Sequence, residues 1–241
     1  MNGPSERSGA ALVWQSFEDA AAMAAPVADV VQSILRSAIA ARGSAVIAVP
    51  GGQTPKPIFH QLAVRDVDWP RVTLLPTDDR LVPIDDPLSG AGLIRTYFGS
   101  TGAMLLTLFD GEADPRSAGD TADRKLRRLR WPLDLVWLGM GEDGHVASIL
   151  PGPDFDAALN APARRLAYGV TPDPLPAAAP VARVTLTRAA LVATRCLLLT
   201  ITGETKRAVA EQAIREGSSS NLAIGRVLSS IRAPVAIYWG R

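Results

Sequence analysis

The stretch LDLVWLGMGEDGHVAS, Leu133–Ser148, decides the fold and points to the chemistry. Its first half is a near-continuous apolar run of strand length, the pattern of a β-strand buried on both faces. Its second half carries glycines at 139, 141 and 144, the acids Glu142 and Asp143, and His145, one of only 2 histidines in the chain. The first pattern recurs in SAVIAVP (Ser44–Pro50), RVTLLPT (Arg71–Thr77), RCLLLTIT (Arg195–Thr202) and APVAIYWG (Ala233–Gly240). Between these runs, Val27, Val30, Val31, Ile34, Leu35 and Ala38 repeat at helical spacing, with Gly43 as a stop. GETKRAVAEQAIREG (Gly203–Gly217) is a second amphipathic helix that ends on a glycine. Strand–helix alternation of this kind predicts an α/β fold. The expectation is one domain over residues 1–241, with a mostly parallel Rossmann-like sheet flanked by helices on both faces and a flexible tail over residues 1–11.

Composition narrows the partners. With 47% hydrophobic and 20% charged residues the chain has the balance of a soluble globular protein. A net charge of +1 supplies no long-range field to recruit nucleic acid or an acidic membrane. The single cysteine, Cys196, excludes an intramolecular disulfide and fits a reducing compartment. The opening MNGPSERSGA has no apolar signal core, and charges interrupt the apolar runs short of a membrane span. A cytoplasmic protein without nucleic-acid or membrane partners, monomeric or weakly dimeric, is expected. The basic run RKLRRLR (Arg124–Arg130) reads as the solvated face of a helix, since no aromatics interleave it. TPDPLPAAAP (Thr171–Pro180) reads as an ordered surface loop, and the strand-like ARVTLT (Ala182–Thr187) follows it.

Ligands of open parallel sheets bind beyond the carboxyl ends of the strands. Three predicted strands deliver unusual residues there. In PGGQTPKP, Gly51 and Gly52 allow a sharp turn, Thr54 can cap the coming helix or offer its hydroxyl to an anion, and Pro55 suits a first helical turn. The converging N–H groups suit a phosphate, although a capped turn without ligand explains the same residues. In PTDDRLVP, Asp78 or Asp79 can hold a substrate hydroxyl or water and Arg80 an anion or carboxylate; a self-paired surface turn is the alternative. In the histidine loop, His145 can take a proton near neutral pH and Asp143 can orient the ring. Gly141 and Gly144 permit the turn and can leave N–H groups for a developing oxyanion. No residues have the spacing of a metal site, and His60 lies apart in an amphipathic helix. Together the loops suggest a small phosphorylated, polyhydroxylated substrate.

The order of these motifs resembles that of the 6-phosphogluconolactonases, relatives of the glucosamine-6-phosphate deaminases. The family patterns appear here as GGQTP, DDR, GMGEDGHVASILPG, RVTLT (Arg183–Thr187) and GETK (Gly203–Lys206), and the likeness runs from about Val13 to Trp239. The resemblance implies a cofactor-free hydrolase that converts 6-phosphogluconolactone to 6-phosphogluconate in the oxidative pentose phosphate pathway. It implies His145 as general base, with Asp143 and Asp78 assisting or binding sugar hydroxyls. It places Gly51, Gly52, Gln53, Thr54, Arg183 and Lys206 at the 6-phosphate and Arg80 at a carboxylate or substrate oxygen, and Gly144 is expected among the substrate-binding residues. Four positions depart from the pattern: Gln53 replaces a serine or threonine, Asp79 the glutamate of DER, Gly90 an asparagine and Ala223 a proline. The deaminase motif, DGHIAFNEP, has a glutamate five residues past its histidine, where this chain has Leu150. A silent sugar-phosphate sensor on the same fold would need neither His145 nor Asp143.

Overall fold

The apolar runs become strands because each side of the main sheet is covered. In the computed structural model, which describes residues 12–112 and 114–241, these runs give β2 (Ala45–Val49), β3 (Val72–Pro76), β6 (Leu135–Leu138), β9 (Leu197–Thr202) and β10 (Val235–Gly240). The tail expected over residues 1–11 lies outside the described residues. With β1 (Leu12–Phe17) and β5 (Met104–Leu105) they form a 7-stranded sheet in the order β1-β10-β9-β6-β2-β3-β5, every pair parallel.

Alternate residues of one strand enter different cores, as a period of two requires. Ala45, Ile47 and Val49 pack with Met23, Val27 and Phe59 on one face. Val46 and Ala48 pack with Leu126, Leu191 and Ala213 on the other. The first face is covered by α1 (Ala20–Arg42), α2 (Pro55–Ala63) and α3 (Gly90–Phe98). The second is covered by α4 (Pro115–Leu126), α5 (Phe155–Leu159), α6 (Arg188–Val192), α7 (Glu204–Glu216) and α8 (Ala223–Ser230). Asp19 caps α1 by accepting from Ala22 N at 2.7 Å, and Gly43, at φ 77°, closes its end. Helix α1 is long and apolar enough to cross a membrane by length and composition alone, against the expectation that charges break every such run. It instead buries Met23, Val27, Val31 and Leu35 against the sheet.

Two further expectations change. DDR is a short strand, β4 (Asp78–Arg80), in a second, 3-stranded antiparallel sheet ordered β4-β8-β7, with β7 at Ala167–Val170 and β8 at Arg183–Leu186. The strand-like ARVTLT thus joins this small sheet. Asp78 pairs with Thr185 and Arg80 with Arg183 across it. The basic run is no single solvated face: α4 stops at Leu126, Lys125 and Arg127 pair with Asp110 and Asp123, and Arg130 reaches the buried Asp134.

Neighbouring strands β2 and β6 mark the point where the chain changes direction across the main sheet. From β2 the order runs outward through β3, and from β6 it runs the other way through β9. Loops leaving these two carboxyl ends diverge and open a crevice between them.

Candidate active site

The crevice holds a cavity of about 440 Å³ whose wall includes Gly51, Gly52, Gln53, Thr54, Asp78, Arg80, His145, Arg183 and Lys206. Nine of the residues named from sequence therefore meet in one place. The loop after β2 supplies one wall. Gly52 takes φ 88°, a conformation other residues adopt only with strain. Thr54 makes no side-chain cap to α2, which removes the capped-turn reading of its hydroxyl. The N–H groups of Gly51, Gly52, Gln53 and Thr54 donate to no protein acceptor among the described residues. Four consecutive open donors beside the positive end of α2 form a concavity suited to an anion.

Lys206, on the first turns of α7, and Arg80 add positive charge to the same cavity. Arg80 Nη1 lies 3.4 Å from the position a Cβ on Gly51 would occupy, next to the open donors. Neither Lys206, Arg80 nor Arg183 forms an ion pair with a carboxylate among the described residues. The Nε atoms of Arg80 and Arg183 are buried without a partner. Burial holds the Arg183 guanidinium below its ordinary value, Asp78 pulls it up, and Arg80, its cross-strand neighbour, pushes it down.

Facing this wall, Asp143 Oδ1 lies 2.6 Å from His145 Nδ1. This contact fixes the ring and leaves Nε2 as the nitrogen free for proton transfer. The hydrogen bond from His145 holds the Asp143 carboxyl below its ordinary value, against the opposing effect of partial burial. Gly141 makes room for the pair. A Cβ there would come within 2.3 Å of the imidazole and 2.5 Å of Asp143 Oδ1.

The glycine N–H groups of this loop are not open to an oxyanion. Gly141 N donates to His145 O at 3.0 Å and Gly144 N to Gly141 O at 3.1 Å. Gly144 is not among the residues that line the cavity; a Cβ there would meet Leu222 at 3.0 Å, and its carbonyl accepts from Ile224 N at 3.1 Å. The turn consumes the donors that the sequence pattern offers.

Asp79, offered by the sequence as a partner for a substrate hydroxyl or water, is used inside the fold, and other residues near the site had no role in the sequence. Asp79, between Asp78 and Arg80, accepts from Gly90 N at 2.6 Å and Ala91 N at 2.9 Å, tying β4 to the start of α3. Burial pushes its carboxyl up to about 6, against the N–H groups of Ala91, Gly90 and Arg80; the nearby Asp78 charge adds to the rise. Ser148, inside the histidine motif, donates to Asp78 Oδ2. Ala147, between His145 and Ser148, takes φ 50° and is the one non-glycine residue at positive φ among the described residues. A second cavity, of about 540 Å³, lies under the proline-rich loop and shares Arg80, His145, Ala178 and Arg183 with the first. Leu150 lines it. His60 is exposed on α2, away from both cavities. No cluster of three or more His, Cys, Asp or Glu side chains suited to a metal occurs among the described residues.

Fold and site together define an α/β protein with a loop of open backbone donors and a carboxylate-paired histidine at the switch point of its sheet. The family model described as glucosamine-6-phosphate isomerases/6-phosphogluconolactonase matches residues 18–236, and the chain belongs to this family. A protein of Mesorhizobium japonicum named 6-phosphogluconolactonase is 36% identical over 236 residues, covering 96% of this chain and 97% of its own. One of Rhizobium meliloti with the same name is 36% identical over 227 residues, covering 92% and 96%. The crystal structure of a 6-phosphogluconolactonase from Shewanella baltica superposes with a TM-score of 0.88 at 30% identity, covering 95% of this chain and 98% of that one.

Proposed function

We propose that the protein hydrolyses 6-phospho-D-glucono-1,5-lactone to 6-phospho-D-gluconate, as the names of its relatives state for them. The observation that carries this reading is His145, held by Asp143 at 2.6 Å, on the wall of a cavity that also holds four open backbone donors. The Gly51–Thr54 loop, Lys206 and Arg80 take the 6-phosphate. Arg183 and Asp78 face the sugar. His145 Nε2 accepts a proton from water as the oxygen attacks the lactone carbonyl. With the glycine donors occupied, the guanidinium group of Arg183 offsets the charge that develops on the carbonyl oxygen. The ring C–O bond then breaks, His145 returns its proton to the departing ring oxygen, and the new carboxylic acid ionises.

A lactone is already reactive, so positioning and one base suffice without a covalent intermediate. The ring-opening machinery of a deaminase calls for a carboxylate where Leu150 lines the second cavity, and Asp143 is the one acid lining that cavity. Freshly generated lactone, assayed by acid release in the presence of a chelator, tests the reading. The wild type should outrun spontaneous hydrolysis, and His145→Ala should lower kcat about a hundredfold or more. Near-normal kcat in a folded His145→Ala protein would refute the assignment of the base.

A further inference from the structure

Ser148 is neutral, buried to 1% exposure, and bonded to two charged groups of the site. Its hydroxyl donates to Asp78 Oδ2 and accepts from Arg183 Nη1 at 3.4 Å. A hydroxyl has one donor and two lone pairs, so both contacts are made without adding charge.

The small sheet explains why such a group is needed. Asp78 stands opposite Thr185 and Arg80 opposite Arg183, so Asp78 and Arg183 are diagonal neighbours on one sheet face. Diagonal pairs lie about 7–8 Å apart, within reach of an arginine. A carboxylate and a guanidinium at that spacing pair directly when nothing intervenes. Here they do not pair, although the Asp78 charge is felt at Arg183. Ser148 itself is fixed from behind, its N–H donating to Thr185 Oγ1 at 3.0 Å. The left-handed residue before it, Ala147, reverses the chain so that His145 serves the cavity and Ser148 serves the small sheet.

We propose that the Ser148 hydroxyl is a spacer that keeps Asp78 and Arg183 from closing into an ion pair, which leaves both groups available to the substrate. What the two groups then bind rests on the lactonase reading; the spacing itself does not. Ser148 is a positioning residue, acting through its neighbours without touching the reacting atoms.

The test combines crystal structures and kinetics of Ser148→Ala and Ser148→Thr. In Ser148→Ala the carboxylate and guanidinium should meet directly, and kcat/KM for the lactone should fall roughly tenfold or more. Ser148→Thr keeps the hydroxyl and should keep the separation, with kcat/KM within about threefold of wild type. A purely structural serine would show neither the new contact nor the rescue. Asp78 and Arg183 remaining apart in Ser148→Ala overturns the proposal, as does a direct pair in Ser148→Thr. If wild type fails to hydrolyse the lactone, the proposed function falls, while the crystallographic contact still decides the spacer. If Ser148→Ala does not fold, Ser148→Thr decides alone.

Discussion

Two glycine-rich loops stand at the ends of adjacent strands and use their glycines for opposite reasons. In the loop after β2, Gly52 supplies a left-handed turn, nothing lies within 4 Å of where its Cβ would be, and the surrounding N–H groups stay open. In the loop after β6, Gly141 supplies space for an imidazole, and the N–H groups of Gly141 and Gly144 are spent on the turn itself. The first loop leaves its backbone donors open. The second hides its backbone to hold a side chain in place. A glycine count cannot separate these roles; the fate of each N–H does.

The sharpest way to break this contrast is Gly141→Ala. A methyl group in the space of the imidazole displaces His145 from Asp143, so kcat should fall a hundredfold or more, as it does when a general base is lost. Steady-state kinetics with a circular-dichroism check of folding would measure it. Retention of kcat within about threefold of wild type would contradict the crowding argument.

The beginnings of α2 and α3 extend the comparison. At α2 the leading donors are open, whereas at α3 those of Gly90 and Ala91 are occupied by Asp79. Folded Asp79 holds its proton up to about pH 6, while in the unfolded chain it releases it near 3.8. Its contribution to stability is therefore full below pH 4 and is lost as pH rises through 6. The rise to about 6 corresponds to about 3 kcal/mol at most. Chemical denaturation from pH 4 to 7 should show the stability of wild type falling relative to Asp79→Asn by up to that amount. A difference that does not change with pH would show that Asp79 stays charged at the α3 start.

Gly52→Ala should have the mildest effect. The methyl meets no neighbour, so the cost is the left-handed backbone alone, about 1–2 kcal/mol. Under the proposed function the loop binds the phosphate uniformly, so KM for the lactone should rise with little change in kcat. A loss confined to kcat would place the loop in the chemistry.

Much of this arrangement was legible in the sequence where burial or local chemistry sets the pattern. The central strands read as apolar runs because both sheet faces are covered, and Gly203 and Gly217 bracket α7 as expected. The edge strand β1 escaped notice because it is half exposed and carries Gln15 and Ser16 among its apolar residues. β4 escaped because three polar residues become a strand only through pairing with β8, distant in sequence. The histidine and its carboxylate were readable from adjacency. The spending of the Gly141 and Gly144 donors was not, since it depends on how the turn closes. Arg183 is buried beneath Ala179 and Ser148, contacts that no local pattern announces.

The neighbouring placement of β2 and β6 has a consequence for selectivity. Parallel strands sit about 4.8 Å apart, and the Gly51–Thr54 loop and the loop that carries His145 each rise from one of them. Under the proposed function the sheet is a calliper: it fixes the gap between the anchored end of a substrate and its reacting carbonyl. Loop substitutions can then tune rate and affinity, but the chain length of sugar acid that fits is written into the spacing of two core strands.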